Sequence, residues 1–395
     1  MKFFVIGIDD NHAQHFLPEV LDVIAANVNF SGGARHHDIV APMLPKNHTW
    51  IDIKAPLGSV FEQYKAYSKL VVFASGDPLF FGFANTIKRL IPEADIVLFP
   101  YFNSLQLHAH RLLMPYHDMH IVSLTGRPWN MFDVALIEGY NKIGVLTDRE
   151  KTPAAIAKRM LYFGYDNYTM HIGERLGNKD EERIYTCNLK DVVGRSFSFP
   201  NNLILTKTYT RQRQFGIPES EFYLLNGRSR MITKMPVRLL TLSMLELRNK
   251  EVFWDVGFCT GSVSVEAKLQ FPKLQIFAFE QRAEGEELMN KNSYKFGTPG
   301  ITTIIGDFIR KDTENLPPPD AVFIGGHGGK LREIVAKIAA AISENGIVVF
   351  NSVSEESKTE FIEAVAINGF KLHQLTTIKV DEFNAIDVIK AVKTK

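Results

Sequence analysis

Val252 to Leu269 reads V-F-W-D-V-G-F-C-T-G-S-V-S-V-E-A-K-L. An apolar run, Val252–Val256, enters a turn holding Gly257 and Gly261, and from Ser262 the pattern becomes helical. Glycines at such a turn let the backbone approach a ligand where a Cβ would clash. Glu280 closes the next apolar run, Gln275–Phe279. It stands about twenty residues on, where a carboxylate can accept both hydrogen bonds of a ribose diol. Strand, glycine turn, helix and distal acid together predict a nucleotide-type ligand.

Working outward, Gly306-Asp307 follows a third apolar run, Ile301–Ile305, and offers a carboxylate to an adenine amine. Pro319-Asp320 then opens Ala321–Ile324, which ends in Gly325-Gly326-His327-Gly328-Gly329. That cluster would line a substrate mouth beyond the carboxyl ends of the strands. A helix over Val237–Arg248 and a strand at Ile347–Val349 complete the series. The succession resembles the Rossmann-like class I S-adenosylmethionine (SAM) methyltransferases. Gly216-Ile217-Pro218, Met231-Ile232-Thr233-Lys234 and Val237-Arg238 bring it close to the C-15-methylating, decarboxylating enzymes of corrin synthesis, over residues 214–390. The resemblance implies that Asp255, Gly257, Thr260, Gly261, Glu280, Gly306, Asp307 and Gly325 hold SAM. Thr233, Lys234 and Arg238, where the resemblance falls, become substrate-mouth candidates, and His327 joins them as a donor for a ring carboxylate, although relatives often have a small residue there. Cys259 stands where that family has its central loop glycine, and Pro236 where it commonly has an acid; proline suits a first helical turn.

The other half carries a second set of signals. Val71–Gly82 reads V-V-F-A-S-G-D-P-L-F-F-G, an apolar strand running into a tight Ser75-Gly76-Asp77-Pro78 loop. Further buried runs are Phe3–Ile8, Leu70–Ala74, Ile96–Phe99, Ile121–Leu124 and Lys142–Leu146, alternating with helical stretches such as Asn85–Ile91 and Thr152–Phe163. Such alternation implies α/β architecture with parallel sheets. Ser31–His36, Asn103–Gln106, Leu124–Arg127, Asp148 with Lys151–Ile156, and Ile172–Gly177 follow the order of the tetrapyrrole methylases, class III SAM methyltransferases. Over residues 1–205 the chain is most similar to those that methylate ring carbon 5. This implies a two-lobed fold with SAM between the lobes, contacted by Gly7, Ser75, Gly76, Asp77, Leu79 and Ser104. Arg35, His36 and Arg127 become substrate-mouth candidates. The family's glycine-proline loop after the first strand is Gly7-Ile8-Asp9-Asp10 here.

At 395 residues the chain exceeds what one core usually serves. The polar stretch Arg195–Gly216, with Arg211 and Arg213, puts the boundary near 210, giving domains 1–210 and 211–395. A net charge of +1 opposes a nucleic-acid surface. Two cysteines, Cys187 and Cys259, make neither a disulfide framework nor a zinc site, and no metal is expected. The apolar start meets Asp9 and Asp10 at once, and no run reaches the ~18 residues of a membrane span, so no membrane partner and a cytoplasmic location are expected.

Joined in this order, the halves resemble the fused precorrin C-5/C-15 methyltransferases (decarboxylating) of cobalamin biosynthesis. That implies two SAM sites per chain, a homo-oligomer, and a precorrin substrate methylated at C-5 and C-15 with loss of the C-12 acetate carboxyl, giving precorrin-8. No triad or ligand cluster stands out, so catalysis rests on holding the methyl about 3–3.5 Å from a ring carbon. The ring carboxylates call for cationic donors. Three other readings compete: a nicotinamide oxidoreductase, an RNA methyltransferase built on the second half, and a non-catalytic tetrapyrrole-binding protein.

Overall fold

The computed structural model describes residues 1–225 and 231–394, which fall into two compact units. The first comprises Met1–Arg127, Tyr140–Lys158 and Asn167–Tyr209; the second comprises Pro128–Gly139, Arg159–Asp166 and the chain from Thr210 onward.

The first unit begins with β1 (Lys2–Ile8), α1 (Pro18–Ala25), β2 (Asn29–Gly32), α2 (Ala34–Val40), β3 (Thr49–Asp52), α3 (Leu57–Tyr64), β4 (Lys69–Ser75), α4 (Phe83–Leu90) and β5 (Asp95–Phe99). The five strands form a parallel sheet in the order β3-β2-β4-β1-β5. Both faces are covered. Leu70 and Val72 pack with Val60, Tyr64 and Ile87 on one face, while Val71 and Phe73 pack with Val20, Ile24 and Ile39 on the other. Burial on both faces is why these strands read as continuous apolar runs.

The chain continues through α5 (Ser104–Arg111), β6 (His120–Ser123), α6 (Asn130–Glu138, grouped with the second unit), β7 (Lys142–Leu146), α7 (Pro153–Tyr162), β8 (Tyr168–Glu174), β9 (Arg183–Asn188), α8 (Leu189–Val192) and β10 (Asn201–Lys207). Thr152 Oγ1 caps α7 by accepting the Ala155 N–H at 3.2 Å. The second sheet runs β6-β7-β10-β8-β9, and only β6 and β7 are parallel. The parallel pairing that strand–helix alternation implies holds for the whole first sheet and, in this one, for β6 with β7. The link from β8 to β9, Arg175–Glu182, is shorter than the dozen or so residues a parallel crossover requires, so β9 returns antiparallel.

The second unit contains α9 (Met235–Leu245), β11 (Val252–Val256), α10 (Ser262–Gln270), β12 (Gln275–Glu280), α11 (Glu284–Phe296), β13 (Ile301–Ile305), β14 (Ala321–Ile324), α12 (Leu331–Ala341), β15 (Ile347–Ser352), α13 (Glu355–Ile367), β16 (Phe370–Ile378) and β17 (Ile386–Lys393). Pro236 lies in the first turn of α9. The sheet order is β13-β12-β11-β14-β15-β17-β16, parallel except for β17, which is antiparallel to both neighbours. The order reverses between β11 and β14, the switch point at which open α/β sheets bind ligands beyond their carboxyl ends. Among the described residues no helix is long and apolar enough to cross a membrane.

Candidate cofactor sites

At the switch point of the second unit, Gly257 follows β11 with φ +76°. A Cβ there would lie 2.6 Å from the Gly326 carbonyl oxygen and 2.7 Å from its nitrogen. Only glycine lets this turn lie against the Gly325–Gly326 backbone. Cys259, two residues on from Gly257, holds a φ of +52°, a left-handed conformation uncommon for residues other than glycine. Its thiol donates to the Met231 carbonyl at 2.9 Å.

At the end of β11 and in this turn, two buried polar atoms have no partner among the described residues. Asp255 is fully buried; Oδ2 accepts from Ser264 Oγ at 2.6 Å, and Oδ1 has no partner. Burial, with the nearby Glu280 charge adding to it, pushes the carboxyl up to about 7. Thr260 Oγ1 is likewise unpartnered, while its carbonyl accepts from Asn292 Nδ2 at 2.8 Å. Native interiors seldom leave such groups unmatched, so the turn presents an unfilled polar face.

Glu280 ends β12 with both oxygens engaged. Oε2 accepts the Cys259 N–H at 2.9 Å and Arg282 Nη2 at 3.0 Å; Oε1 accepts the Arg282 N–H at 3.0 Å and Nε at 2.9 Å. Burial alone would raise this carboxyl, but the Arg282 guanidinium and these N–H groups outweigh it and hold it below the usual range. Asp307, just after Gly306, accepts from Lys330 Nζ at 2.8 Å and caps the Ile309 N–H at 3.0 Å.

The expected mouth residues separate. Lys234 is half-buried, with Nζ 4.6 Å from the Phe383 ring centroid. Thr233 is half-buried beside it, and its carbonyl accepts from Arg238 Nη1 at 2.8 Å. His327 lies in the glycine turn, where Nδ1 accepts the Gly329 N–H at 3.3 Å. Arg238 does not face a mouth. It is 0% exposed, with Nε on Glu266 Oε2 at 2.5 Å and Nη2 on the Ile217 carbonyl. Glu266 is equally buried and also accepts the Gly216 N–H at 2.5 Å. A charge in that position must be paired in place, so Arg238 fastens Gly216–Ile217 and Thr233 to α10.

In the first unit the loops after β1, β4 and β5 meet. A Cβ on Gly7 would lie 1.9 Å from the Gly76 carbonyl oxygen and 2.8 Å from the Tyr101 nitrogen, so this junction is backbone against backbone. Asp77 Oδ1 accepts the Leu79 N–H at 2.8 Å and shapes the loop. Ser104 opens α5 behind a capping box of Asn103 and Gln106. Leu79, Phe81, Tyr101 and Phe102 are all exposed. Arg127 stands over one of them, its guanidinium 5.1 Å from the Phe81 ring, and donates to Ser123 Oγ at 2.7 Å.

Arg35 and His36 converge on Ser75, at 3.0 Å and 2.9 Å from its Oγ. Arg35 also pairs with Asp10, which Arg175 reaches from beyond β8, Nε to Oδ2, at 2.8 Å. Burial would raise Asp10, but the two guanidinium groups prevail and lower it. Sequence reading singled out none of Asp10, Arg175 and Arg282 as a site residue. Arg282 alone offered a local signal, lying two residues beyond the acid it pairs with.

A family model for a precorrin methyltransferase domain matches residues 225–394. The precorrin-6Y C(5,15)-methyltransferase (decarboxylating) of Sinorhizobium sp is 30% identical over 373 residues, covering 93% of this chain and 88% of that protein. The protein of the same name from Mycobacterium tuberculosis is 26% identical over 313 residues, covering 77% of this chain and 75% of its own. A cobalt-precorrin-6B C(15)-methyltransferase (decarboxylating) of Salmonella typhimurium is 36% identical over 133 residues, 34% of this chain and 68% of that protein. With nearly its whole length aligned to the first of these, the chain belongs to the precorrin-6Y C(5,15)-methyltransferase (decarboxylating) family of SAM-dependent enzymes.

Proposed function

We propose that this chain methylates a precorrin at C-5 and C-15 and removes the C-12 acetate carboxyl, with one SAM site in each of two domains. Residues 1–210 carry C-5 methylation, and residues 211–395 carry C-15 methylation with decarboxylation. The observation that supports two sites is the repeated junction: Gly7 against Gly76 in one unit, Gly257 against Gly326 in the other, each tolerating no side chain.

The residues fit SAM. In the second unit the unpartnered Asp255 Oδ1 and Thr260 Oγ1 offer polar contacts to an amino-acid moiety, and Glu280 and Asp307 offer acceptors to a nucleoside. Gly257, Gly261, Gly306 and Gly325 line the same turns. In the first unit Gly7, Ser75, Gly76, Asp77, Leu79 and Ser104 surround the backbone junction. SAM, when bound, supplies an electrophilic methyl on a sulfonium leaving group.

The protein's part is to orient an electron-rich ring carbon toward that methyl and to exclude water. Leu79, Phe81, Tyr101 and Phe102 give the first unit an apolar rim for a macrocycle, and Arg127 a cation for a ring carboxylate. Lys234 and His327 serve the second mouth. In decarboxylation the electrons of the broken C–C bond pass into the conjugated ring, a proton is taken up and carbon dioxide leaves. The substrate's polyanionic character and the small net charge of the chain make a local cationic mouth the recognition device.

Calorimetry on monodisperse protein should give close to two SAM per chain. A stoichiometry of one in fully active protein would leave one domain without a cofactor. Mass spectrometry of products from SAM and a reduced precorrin should show two added methyl groups and the loss of one carboxyl.

A further inference from the structure

A hydroxyl has one proton to give and two lone pairs to fill. Ser75 is exposed at the carboxyl end of β4, and both of its lone pairs are taken from behind. Arg35 Nη2 donates to Oγ at 3.0 Å, and a guanidinium can only donate. His36 Nε2 lies 2.9 Å from the same oxygen. The other ring nitrogen fixes the direction of that contact. His36 Nδ1 accepts the Gly33 N–H at 3.2 Å, so it carries no proton, and a neutral imidazole then holds its proton on Nε2. Burial, with the Arg35 charge adding to it, pushes His36 down to about 4, so the neutral ring prevails at pH 7.

Both donors are themselves anchored. Arg35 is tied to Asp10, and Asp10 to Arg175; His36 is tied to the backbone that opens α2. The Ser75 proton is therefore turned outward, beside the Gly7–Gly76 junction, and it meets no acceptor among the described residues.

We propose that Ser75 Oγ–H donates to a carboxylate of the ligand bound in the first unit, and that Arg35 and His36 are positioning residues that aim it. This rests on the C-5 methylation site proposed above. A carboxylate suits a donor whose own oxygen is polarised by a guanidinium, since charge-assisted O–H···O⁻ bonds are the strong ones. The tetrapyrrole and SAM both carry carboxylates, and the experiment separates them.

Full-length Ser75→Ala, Ser75→Thr and Ser75→Asp are assayed for C-5 methylation, with KM for the precorrin and calorimetric affinity for SAM. Ser75→Ala should weaken one of these constants by about tenfold, and Ser75→Thr should stay near wild type. A shifted KM identifies the tetrapyrrole as the source of the carboxylate; a shifted SAM affinity identifies the cofactor. Ser75→Asp keeps both accepted bonds but has no proton, so it should fall well below Ser75→Ala. If Ser75→Asp matches or exceeds Ser75→Ala, the hydroxyl accepts from the ligand and the proposal fails. Melting temperatures are followed throughout. Should Ser75→Asp misfold, Ser75→Cys, a weaker donor of similar size, should fall between wild type and Ser75→Ala, and equality with Ser75→Ala overturns the proposal. His36→Leu should move the same constant with kcat unchanged, and His36→Gln should restore part of it; no change in His36→Leu refutes the aiming role. Wild type that never methylates C-5 sinks the underlying site, whereas wild type that does, with an indifferent Ser75→Ala, sinks this inference alone.

Discussion

Arg282 grips Glu280 through two parallel hydrogen bonds, Nε to Oε1 at 2.9 Å and Nη2 to Oε2 at 3.0 Å. Two backbone N–H groups, from Cys259 and Arg282, occupy the remaining directions. A carboxylate offers about four lone-pair sites, and here all are used. A ribose diol reaches Glu280 only by displacing the guanidinium. Arg282 is a third exposed while Glu280 is only 3% exposed, so the guanidinium can swing out to water and leave the carboxylate to the diol. Arg282→Met should therefore tighten SAM at this site, because the diol no longer competes with the guanidinium for Glu280. Glu280→Gln should weaken it by roughly 10- to 100-fold. C-15 methylation at limiting SAM reports both. Unchanged or weaker binding in Arg282→Met would mean that the ribose is held elsewhere.

Asp255 makes the fold sensitive to pH. Its carboxyl is lifted from 3.8 to about 7 by burial. Between those values the folded chain keeps a proton that the unfolded chain has lost. Stability of the ligand-free protein should then fall as pH rises from about 4 to about 7, with the loss complete above 7. Asp255→Asn cannot ionise and should flatten that part of the pH–Tm curve. Parallel curves for the two proteins would show that Asp255 is already ionised in the fold.

Arg238 should behave as part of the scaffold. Arg238→Met leaves Glu266 as an unmatched buried charge and should cost about 3–5 kcal/mol. Adding Glu266→Leu should recover part of that loss. Lys234→Met, at a half-buried position, should change stability by under about 0.5 kcal/mol yet raise the precorrin KM for C-15 methylation. Thermal unfolding with steady-state kinetics separates the two outcomes. A stable Arg238→Met with a raised KM would return Arg238 to the mouth.

The two glycine junctions should map onto two bonds. Gly7→Ala forces the β1 and β4 loops apart and should lower C-5 methylation by about 100-fold or more, the scale of a displacement near 1 Å. C-15 methylation and carbon dioxide release should persist. Gly257→Ala should do the reverse. Product masses with isotope-labelled carbon dioxide follow both, and loss of carbon dioxide release in Gly7→Ala alone would exchange the roles of the halves.

Strands buried on both faces were the legible part of the fold. Val252–Val256 and Ala321–Ile324 are entirely buried, and their ends in sequence are their ends in the structure. By contrast β9 and β16 are largely exposed, alternate weakly and carry polar residues such as Thr186 and Gln374, so nothing in their sequence rose above loop. Antiparallel β10 is apolar, but its partners lie far off in the chain, and only pairing reveals their direction. Nor does Pro128–Gly139 carry any local mark that it groups with the second unit.

The candidate sites divide the same way. Glycine turns and their acids could be read because they depend on local spacing. Arg238 could not, since its burial is decided by Glu266 on another helix, and a cation beside Lys234 looks the same in sequence whether solvated or enclosed. The Ser75 cluster was visible only as two separate motifs, Ser31–His36 and Ser75–Pro78, because only the pairing of β2 with β4 brings Arg35 and His36 to Ser75.

In the second unit, β17 lies between β15 and β16. During synthesis β11 to β15 emerge first, and β16 is made before the strand that joins it to them. Until residues 386–393 leave the ribosome, β15 presents an unpaired edge and β16 has no neighbour on the sheet. Such open edges invite pairing with other chains. Completion of this unit is therefore a late event in the life of the nascent chain, and the first unit, whose ten strands end at Lys207, can finish folding well before it.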